Sequence, residues 1–304
     1  MMKTDADQST STERPAATGL AAATNQAPPC HLTSRDYRPQ GTVVDIEGIE
    51  VGGDEVVIMA GPCSVESAEQ MLRIAREVKA AGATVLRGGA FKPRTSPYDF
   101  QGLGKAGLEH LRAASHETGL KVVTEVIDPR DTELVAGYAD CLQIGSRNMQ
   151  NYPLLNEVGR LSKPVLLKRG LAASYKEFLM AAEYIMAQGN EQVILCERGI
   201  RGPTNELRFT LDLNAVPYLK TKTHLPVIVD PSHGTGNARL VPAMSLAAIA
   251  CGADGLIVET HYSPQDSVSD ASQTISTAEF ARLMKDIAAV AHALGRTTWS
   301  PAAV

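Results

Sequence analysis

The sequence has no excess of positive charge: 29 Lys and Arg against 34 Asp and Glu leave a formal net charge of −5. No overall cationic field exists to hold nucleic acid or an anionic membrane, so neither is an expected partner. It also lacks any uncharged apolar run of the roughly 18 residues that a bilayer span requires. Cysteine is sparse and unpatterned. Cys30, Cys63, Cys141, Cys196 and Cys251 are scattered, odd in number and without CxxC spacing, which argues against a disulfide framework and for a reducing compartment. Lys3 is not followed by a secretory apolar core, and Asp5, Asp7 and Glu13 do not suit a transit peptide, so the cytoplasm is the expected location. What is present, 44% hydrophobic and 21% charged residues over 304 positions, fits a globular α/β chain and not a coiled coil, a collagen or a wholly disordered protein.

Residues 1–35 are rich in Ser, Thr, Ala and Pro and almost devoid of large apolar side chains. Such a segment buries too little surface to offset its ordering entropy and is expected to be a flexible, disordered arm. Residues 36–54 alternate (TVVDIEGIEVGG) like a short β extension, a hairpin lid for a barrel floor. From residue 55 to 298 a rhythm sets in. Short β-branched runs (VVIMA, TVLRG, KVVTEV, CLQIG, PVLLKRG, QVILCERG, PVIVDPSHG, GLIVETH) alternate with helical patterns such as AEQMLRIAREVKAAG. Eight strand signals over about 245 residues match a (β/α)₈ TIM barrel. An open doubly wound sheet is the rival, but no Gly-rich dinucleotide fingerprint follows the first strand.

In parallel α/β folds, ligands gather where strands end. Here nearly every such junction carries an ionisable side chain. Arg87, Lys92, Arg94, Arg147, Lys168 and Arg198 form a cationic group, and guanidinium and ammonium groups converge stably only around an anion. Glu125 ends the third strand, while Thr95 and Ser96 add hydroxyls to the KPRTS loop, which suits a second phosphate or a polyol. Cys63, His233, Glu259 and Asp270 come from strands 1, 7 and 8 and the loop after strand 8, which barrel closure brings together. That S/N/O/O set suits one divalent first-row ion (Mn, Fe, Co or Zn) better than Mg. Cys141, Cys196 and Cys251 sit in apolar runs and read as core; His261 reads equally as solvent-facing or as a neighbour of the metal.

The ordered motifs GPCSVES, LRGGAFKPRTSPY, TEVID, LQIGSRNMQN, PVLLKRG, ILCERGIR, VDPSHGTG, LIVETHY and SDASQTI resemble those of 3-deoxy-7-phosphoheptulonate (DAHP) synthases of the type Iβ branch, over roughly residues 41–295. The resemblance implies condensation of phosphoenolpyruvate with erythrose 4-phosphate and water, the first step of the shikimate pathway, on a (β/α)₈ barrel. It implies metal ligation by Cys63, His233, Glu259 and Asp270. Phosphoenolpyruvate would be held by Arg87, Lys92, Arg147, Lys168 and Arg198, with Glu125 close by, and erythrose 4-phosphate by Pro93, Arg94, Thr95, Ser96 and Asp230. Lys92 is then the candidate proton donor to the aldehyde oxygen, and Glu125 the candidate group that orients or deprotonates water. The stretches GIRGPTNELRFTLD and GTGNARL depart from the family wording, outside the ligand positions. A homo-oligomer, dimer or tetramer, is usual in the family.

Two alternatives stand beside this reading. One is 3-deoxyoctulosonate 8-phosphate synthase, acting on arabinose 5-phosphate, whose family carries KANRS where this chain has KPRTS. The other is a catalytically silent barrel that binds metal or phosphate. Some 40 N-terminal residues are too few for an appended ferredoxin-like or chorismate mutase domain, so no built-in feedback domain for Phe, Tyr or Trp is expected.

Overall fold

The computed structural model describes residues 30–203 and 206–299. Most of the arm expected over residues 1–35 thus lies outside the described residues. Residues 30–35 correct its boundary, because they are fastened to the molecule. Leu32 and Thr33 donate backbone N–H bonds to the Glu183 carboxylate at 2.7 and 2.9 Å, and His224 Nε2 meets the Leu32 carbonyl at 2.7 Å. Composition could not reveal anchors that lie 150 residues or more away.

A short antiparallel hairpin, β1 (Val44–Asp45) and β2 (Glu50–Val51), leads into β3 (Glu55–Gly61). Strand and helix then alternate: α1 (Ala68–Ala81), β4 (Val85–Arg87), α2 (Lys105–Thr118), β5 (Lys121–Glu125), α3 (Thr132–Ala136), β6 (Cys141–Ile144) and α4 (Tyr152–Gly159). The series continues with β7 (Val165–Lys168), α5 (Tyr175–Met186), β8 (Val193–Glu197), α6 (Ala215–Lys222), β9 (Val227–Val229), α7 (Pro231–Thr235), α8 (Val241–Ala250) and β10 (Gly255–His261). β11 (Ile275–Ser276), α9 (Thr277–Ala293) and β12 (Thr297–Thr298) follow. Parallel pairing runs unbroken from β3 to β10, and β10 pairs back with β3 from Gly255↔Val57 to Glu259↔Gly61. The ring is closed, as a (β/α)₈ barrel requires. Among the described residues, no helix is long and apolar enough to cross a membrane.

Local chemistry explains where the helices start and stop. Ser67 caps α1 through a bond from the Gln70 N–H, Gly82 ends it in a left-handed turn, and Met71, Ile74 and Val78 recur on its buried face. Ser174 with Glu177 and Ser276 with Glu279 form reciprocal capping boxes at α5 and α9.

The strands alternate between two cores, as period-2 side chains must. One set (Val57, Met59, Val85, Val123, Cys141, Leu166, Ile194, Cys196, Ile228 and Ile257) fills the barrel interior together with Val44, Ile46 and Val51 of the hairpin. The other set, including Ile58, Leu86, Leu167, Leu195 and Val258, faces the helices. The hairpin stops the N-terminal mouth: Glu47 lies 3.8 Å from Lys163, just before β7, and Gly52 packs against Pro226, just before β9.

The same alternation turns Arg169 and Glu197 outward. Arg169 NH1 donates to Glu197 Oε2 at 2.8 Å and to Asp212 Oδ2 at 2.9 Å, beneath the Tyr175 ring, and Tyr175 also donates its hydroxyl to Asp212. This buried group ties the loops after β7 and β8 to the barrel wall. Removing the cation would strand two carboxylates, so Arg169→Ala should cost about 3–5 kcal/mol, read by urea unfolding. An unchanged unfolding midpoint would contradict that reading. Glycine at the end of β3 is equally constrained: a Cβ on Gly61 would stand 2.1 Å from the Arg87 carbonyl oxygen, at a φ of +152°. Gly61→Ala should therefore destabilise by roughly 3 kcal/mol, visible as a lower melting temperature.

Candidate active site

Two residues beyond the interior apolar layer, seven of the eight barrel strands present a polar group to the C-terminal mouth; β3 has Gly61 there. Val85 leads to Arg87, Val123 to Glu125, Cys141 to Gln143, Leu166 to Lys168, Cys196 to Arg198, Ile228 to Asp230 and Ile257 to Glu259. A cavity of about 260 Å³ opens there. Seven cations line it (Arg87, Lys92, Arg94, Arg147, Lys168, Arg198, Arg208) against three acids (Asp99, Glu125, Asp270). So strong an imbalance at a concave surface suits a substrate carrying several negative charges.

Neighbouring groups fix the individual cations. Lys168 Nζ is 2.5 Å from Asp230 Oδ2, and Arg198 lies over the Phe209 ring with its guanidinium carbon 4.2 Å from the centroid. Arg147 NH1 crosses to the Pro93 carbonyl at 3.1 Å, linking the loops after β6 and β4. Arg94 pairs with Asp99 at 3.5 Å inside its own loop. Lys92 Nζ donates to both the carbonyl oxygen and the sulfur of Cys63, each at 3.0 Å. Burial pulls the Lys92 pKa down, but the charges of Cys63 and Glu259 outweigh it and hold the ammonium above its ordinary value. Glu125 accepts from Gln143 at 3.3 Å and stands against Gly145, where a Cβ would come within 2.0 Å of Oε1.

Beside the cations lies a donor cluster. Ligand atoms of Cys63, Glu259 and Asp270 fall within 4.8 Å of one another. Cys63 Sγ approaches Asp270 Oδ2 at 3.2 Å. Without a cation, burial first and Glu259 second push the Cys63 thiol up to about 12. Burial also opposes ionisation of Asp270, but His233, the Cys63 hydrogen bond and Arg208 hold its carboxyl at about 2. Glu259 Oε1 is buried with no hydrogen bond; Arg87 NH1 at 3.2 Å is close enough to pair in charge but is not aligned to donate. His233 Nε2 stands 3.5 Å from that oxygen, and its Nδ1 is held by Asp230 Oδ2 at 2.7 Å. An imidazole steered in this way by a carboxylate, with the far nitrogen aimed at an orphaned oxygen, is the arrangement of a metal-binding histidine. An unpaired buried carboxylate oxygen beside a thiol and a second carboxylate fits a divalent cation.

Most residues expected at the site gather here. Pro93 and Thr95 line the cavity with the cations, as does His233. Two expected sugar-phosphate contacts do not. Asp230 is fully buried, and its oxygens are taken by Lys168, the His233 ring and the His233 backbone N–H; His233 and Lys168 overcome burial to keep it well below the usual carboxylate range. Ser96 does not line the cavity; its hydroxyl accepts from the Tyr98 N–H within its own loop. His261 is buried, with Nδ1 accepting from the Ser263 N–H, so it is not solvent-facing. Arg208, Asp99 and Phe209 also line the cavity without having been singled out in the sequence. Arg208 belongs to the atypical GIRGPTNELRFTLD stretch, and the left-handed Gly236 makes room for it, since a Cβ there would lie 2.6 Å from Arg208 Cβ. A cation in a stretch that departs from the family wording was the available signal.

The chain has well-covered relatives among known proteins. The chain is 49% identical to a phospho-2-dehydro-3-deoxyheptonate aldolase of Thermotoga maritima, covering 88% of this chain and 79% of that one. The crystal structure of a Thermotoga maritima protein so named, also called DAHP synthase, superposes with a TM-score of 0.85 at 48% identity, covering 88% and 78% of the two chains. A 2-dehydro-3-deoxyphosphooctonate aldolase of Acidithiobacillus ferrooxidans is more distant, 31% identical over 70% of this chain and 81% of its own length. The DAHP synthetase I family model matches residues 20–293, and with a relative this similar the chain belongs to that family.

Proposed function

We propose that this chain condenses phosphoenolpyruvate with erythrose 4-phosphate and water to give 3-deoxy-D-arabino-heptulosonate 7-phosphate and phosphate, the opening step of the shikimate pathway. The observation that carries this reading is a cavity lined by seven cations and by half-buried Asp270, whose carboxylate adjoins the buried Cys63 and Glu259. Greater identity to the heptonate aldolase than to the octonate aldolase supports the four-carbon sugar, as does KPRTS in place of KANRS. Five unpaired thiols support a reducing, cytoplasmic setting.

Arg87, Lys92, Arg147, Lys168 and Arg198 would hold the phosphate and carboxylate of phosphoenolpyruvate. Pro93, Arg94 and Thr95, joined by Arg208, would hold the sugar phosphate. Cys63, His233, Glu259 and Asp270 would hold one divalent ion of the Mn, Fe, Co or Zn kind, since a sulfur ligand disfavours Mg. When bound, such an ion supplies Lewis-acid polarisation of the aldehyde oxygen. Lys92, kept in its charged form, donates a proton to that oxygen as carbon 3 of phosphoenolpyruvate attacks the aldehyde carbon. Glu125, buttressed by Gln143, orients water towards carbon 2 and accepts its proton. Loss of phosphate from carbon 2 completes the turnover.

Phosphate release from phosphoenolpyruvate should depend on erythrose 4-phosphate, with arabinose 5-phosphate at least about 10-fold poorer in kcat/KM. It should vanish with a chelator and return with Mn or Co. Equal use of both sugars would favour the octulosonate reading, and no release with either would favour a silent barrel. Lys92→Ala should lower kcat by about 10²–10⁴-fold with bound metal retained, measured by elemental analysis beside the assay. Near-normal turnover would remove the role assigned to Lys92.

A further inference from the structure

Gln273 lies three residues beyond Asp270 and is wholly buried. Its Nε2 donates to Glu259 Oε2 at 2.7 Å, and its Oε1 accepts from Arg208 NH1 at 2.9 Å. The same Arg208 nitrogen reaches Asp270 Oδ1 at 3.3 Å. A carboxylate only accepts and a guanidinium only donates, so the amide between them has a single workable orientation. We infer that Gln273 is a positioning residue that holds Glu259 with one oxygen occupied and the other presented to the cation, an inference that rests on the metal reading above.

The alternative available to Glu259 makes the amide necessary. Arg87 NH1 is already 3.2 Å from Glu259 Oε1, and Arg87 Nε is buried without a partner. Two parallel N–H···O bonds between a guanidinium and a carboxylate are the strongest pairing open to both groups. If Oε2 were free, Glu259 could turn to close that fork, occupying both of its oxygens and drawing Arg87 away from the cavity. Gln273 claims Oε2 and prevents the turn. Arg208 in turn keeps the amide from flipping, because a reversed amide would set its NH₂ against a guanidinium and its carbonyl against a carboxylate. One neutral side chain thus keeps a metal ligand and a phosphoenolpyruvate cation apart.

The test is cobalt affinity, measured on stripped protein by chelator competition and by the thiolate-to-cobalt absorption band. Gln273→Met keeps length and volume but removes both hydrogen bonds. Gln273→Asn keeps an amide too short to span both partners and serves if the Met variant fails to fold. The expected result for either is a cobalt dissociation constant raised about 10–100-fold, the loss typical of an outer partner of a ligating carboxylate. The KM for phosphoenolpyruvate should rise with it, as Arg87 is withdrawn. The rise in melting temperature on adding cobalt should shrink, whereas a purely structural role would lower the metal-free and metal-loaded values equally. A cobalt affinity within about threefold of wild type in a folded variant would overturn the inference while leaving the metal reading in place. Failure of the wild-type chain to bind cobalt would overturn both.

Discussion

The closed parallel ring imposes one constraint from which the site follows: along every strand, alternate side chains must point to opposite faces. The interior narrows to a packed apolar layer, and the next inward position of each strand has no choice but to face the mouth. Arg87, Glu125, Gln143, Lys168, Arg198, Asp230 and Glu259 all occupy that position. Their convergence needs no special loop geometry. The same rule separates adjacent charges of opposite purpose: Lys168 meets the cavity while Arg169 is locked behind it, and Arg198 meets the cavity while Glu197 holds Arg169.

Such a concentration of charge is tolerable only because the groups are cross-paired. Asp230 joins Lys168 to His233, and Gln273 joins Glu259 to Arg208. Two atoms beside these links stay unpaired: Glu259 Oε1, in the donor cluster, and Nε of Arg87, whose NH1 approaches that oxygen. In a protein interior, unsatisfied groups of this kind are costly enough to be rare. At Glu259, between a thiol and a second carboxylate, that cost marks a place where the fold gives up stability for chemistry.

Much of this is legible in the amino-acid sequence. Strand count, barrel class and the inward cations can be read there because each rests on local pattern: a β-branched run, a turn, a charge at the junction. The parity of that charge within its strand is legible too, and it separates Lys168 from Arg169. Asp230 is harder. An acid at a strand end looks like a substrate contact, and only the distances to Lys168 and His233 show that it is already committed. Ser96 misleads for a similar reason, since its hydroxyl is used to shape its own loop. Arg208 and Gln273 carry no periodic signature, because a loop and a single 3₁₀ turn deliver them and tertiary folding alone brings them to Glu259 and Asp270. The anchoring of residues 30–35 by Glu183 and His224 belongs to the same class.

The hairpin at the N-terminal end has a bearing on how the molecule handles its cargo. With Val44, Ile46 and Val51 corking the floor, the barrel is a vessel with one doorway. Whatever enters must leave past the same threshold, and an occupant near the entrance traps anything deeper. Admission and escape are therefore governed by the segments around that rim, among them residues 92–95 and 208–209, which line the cavity. Changes there can alter what is let in, and how long it stays, without disturbing the chemistry below.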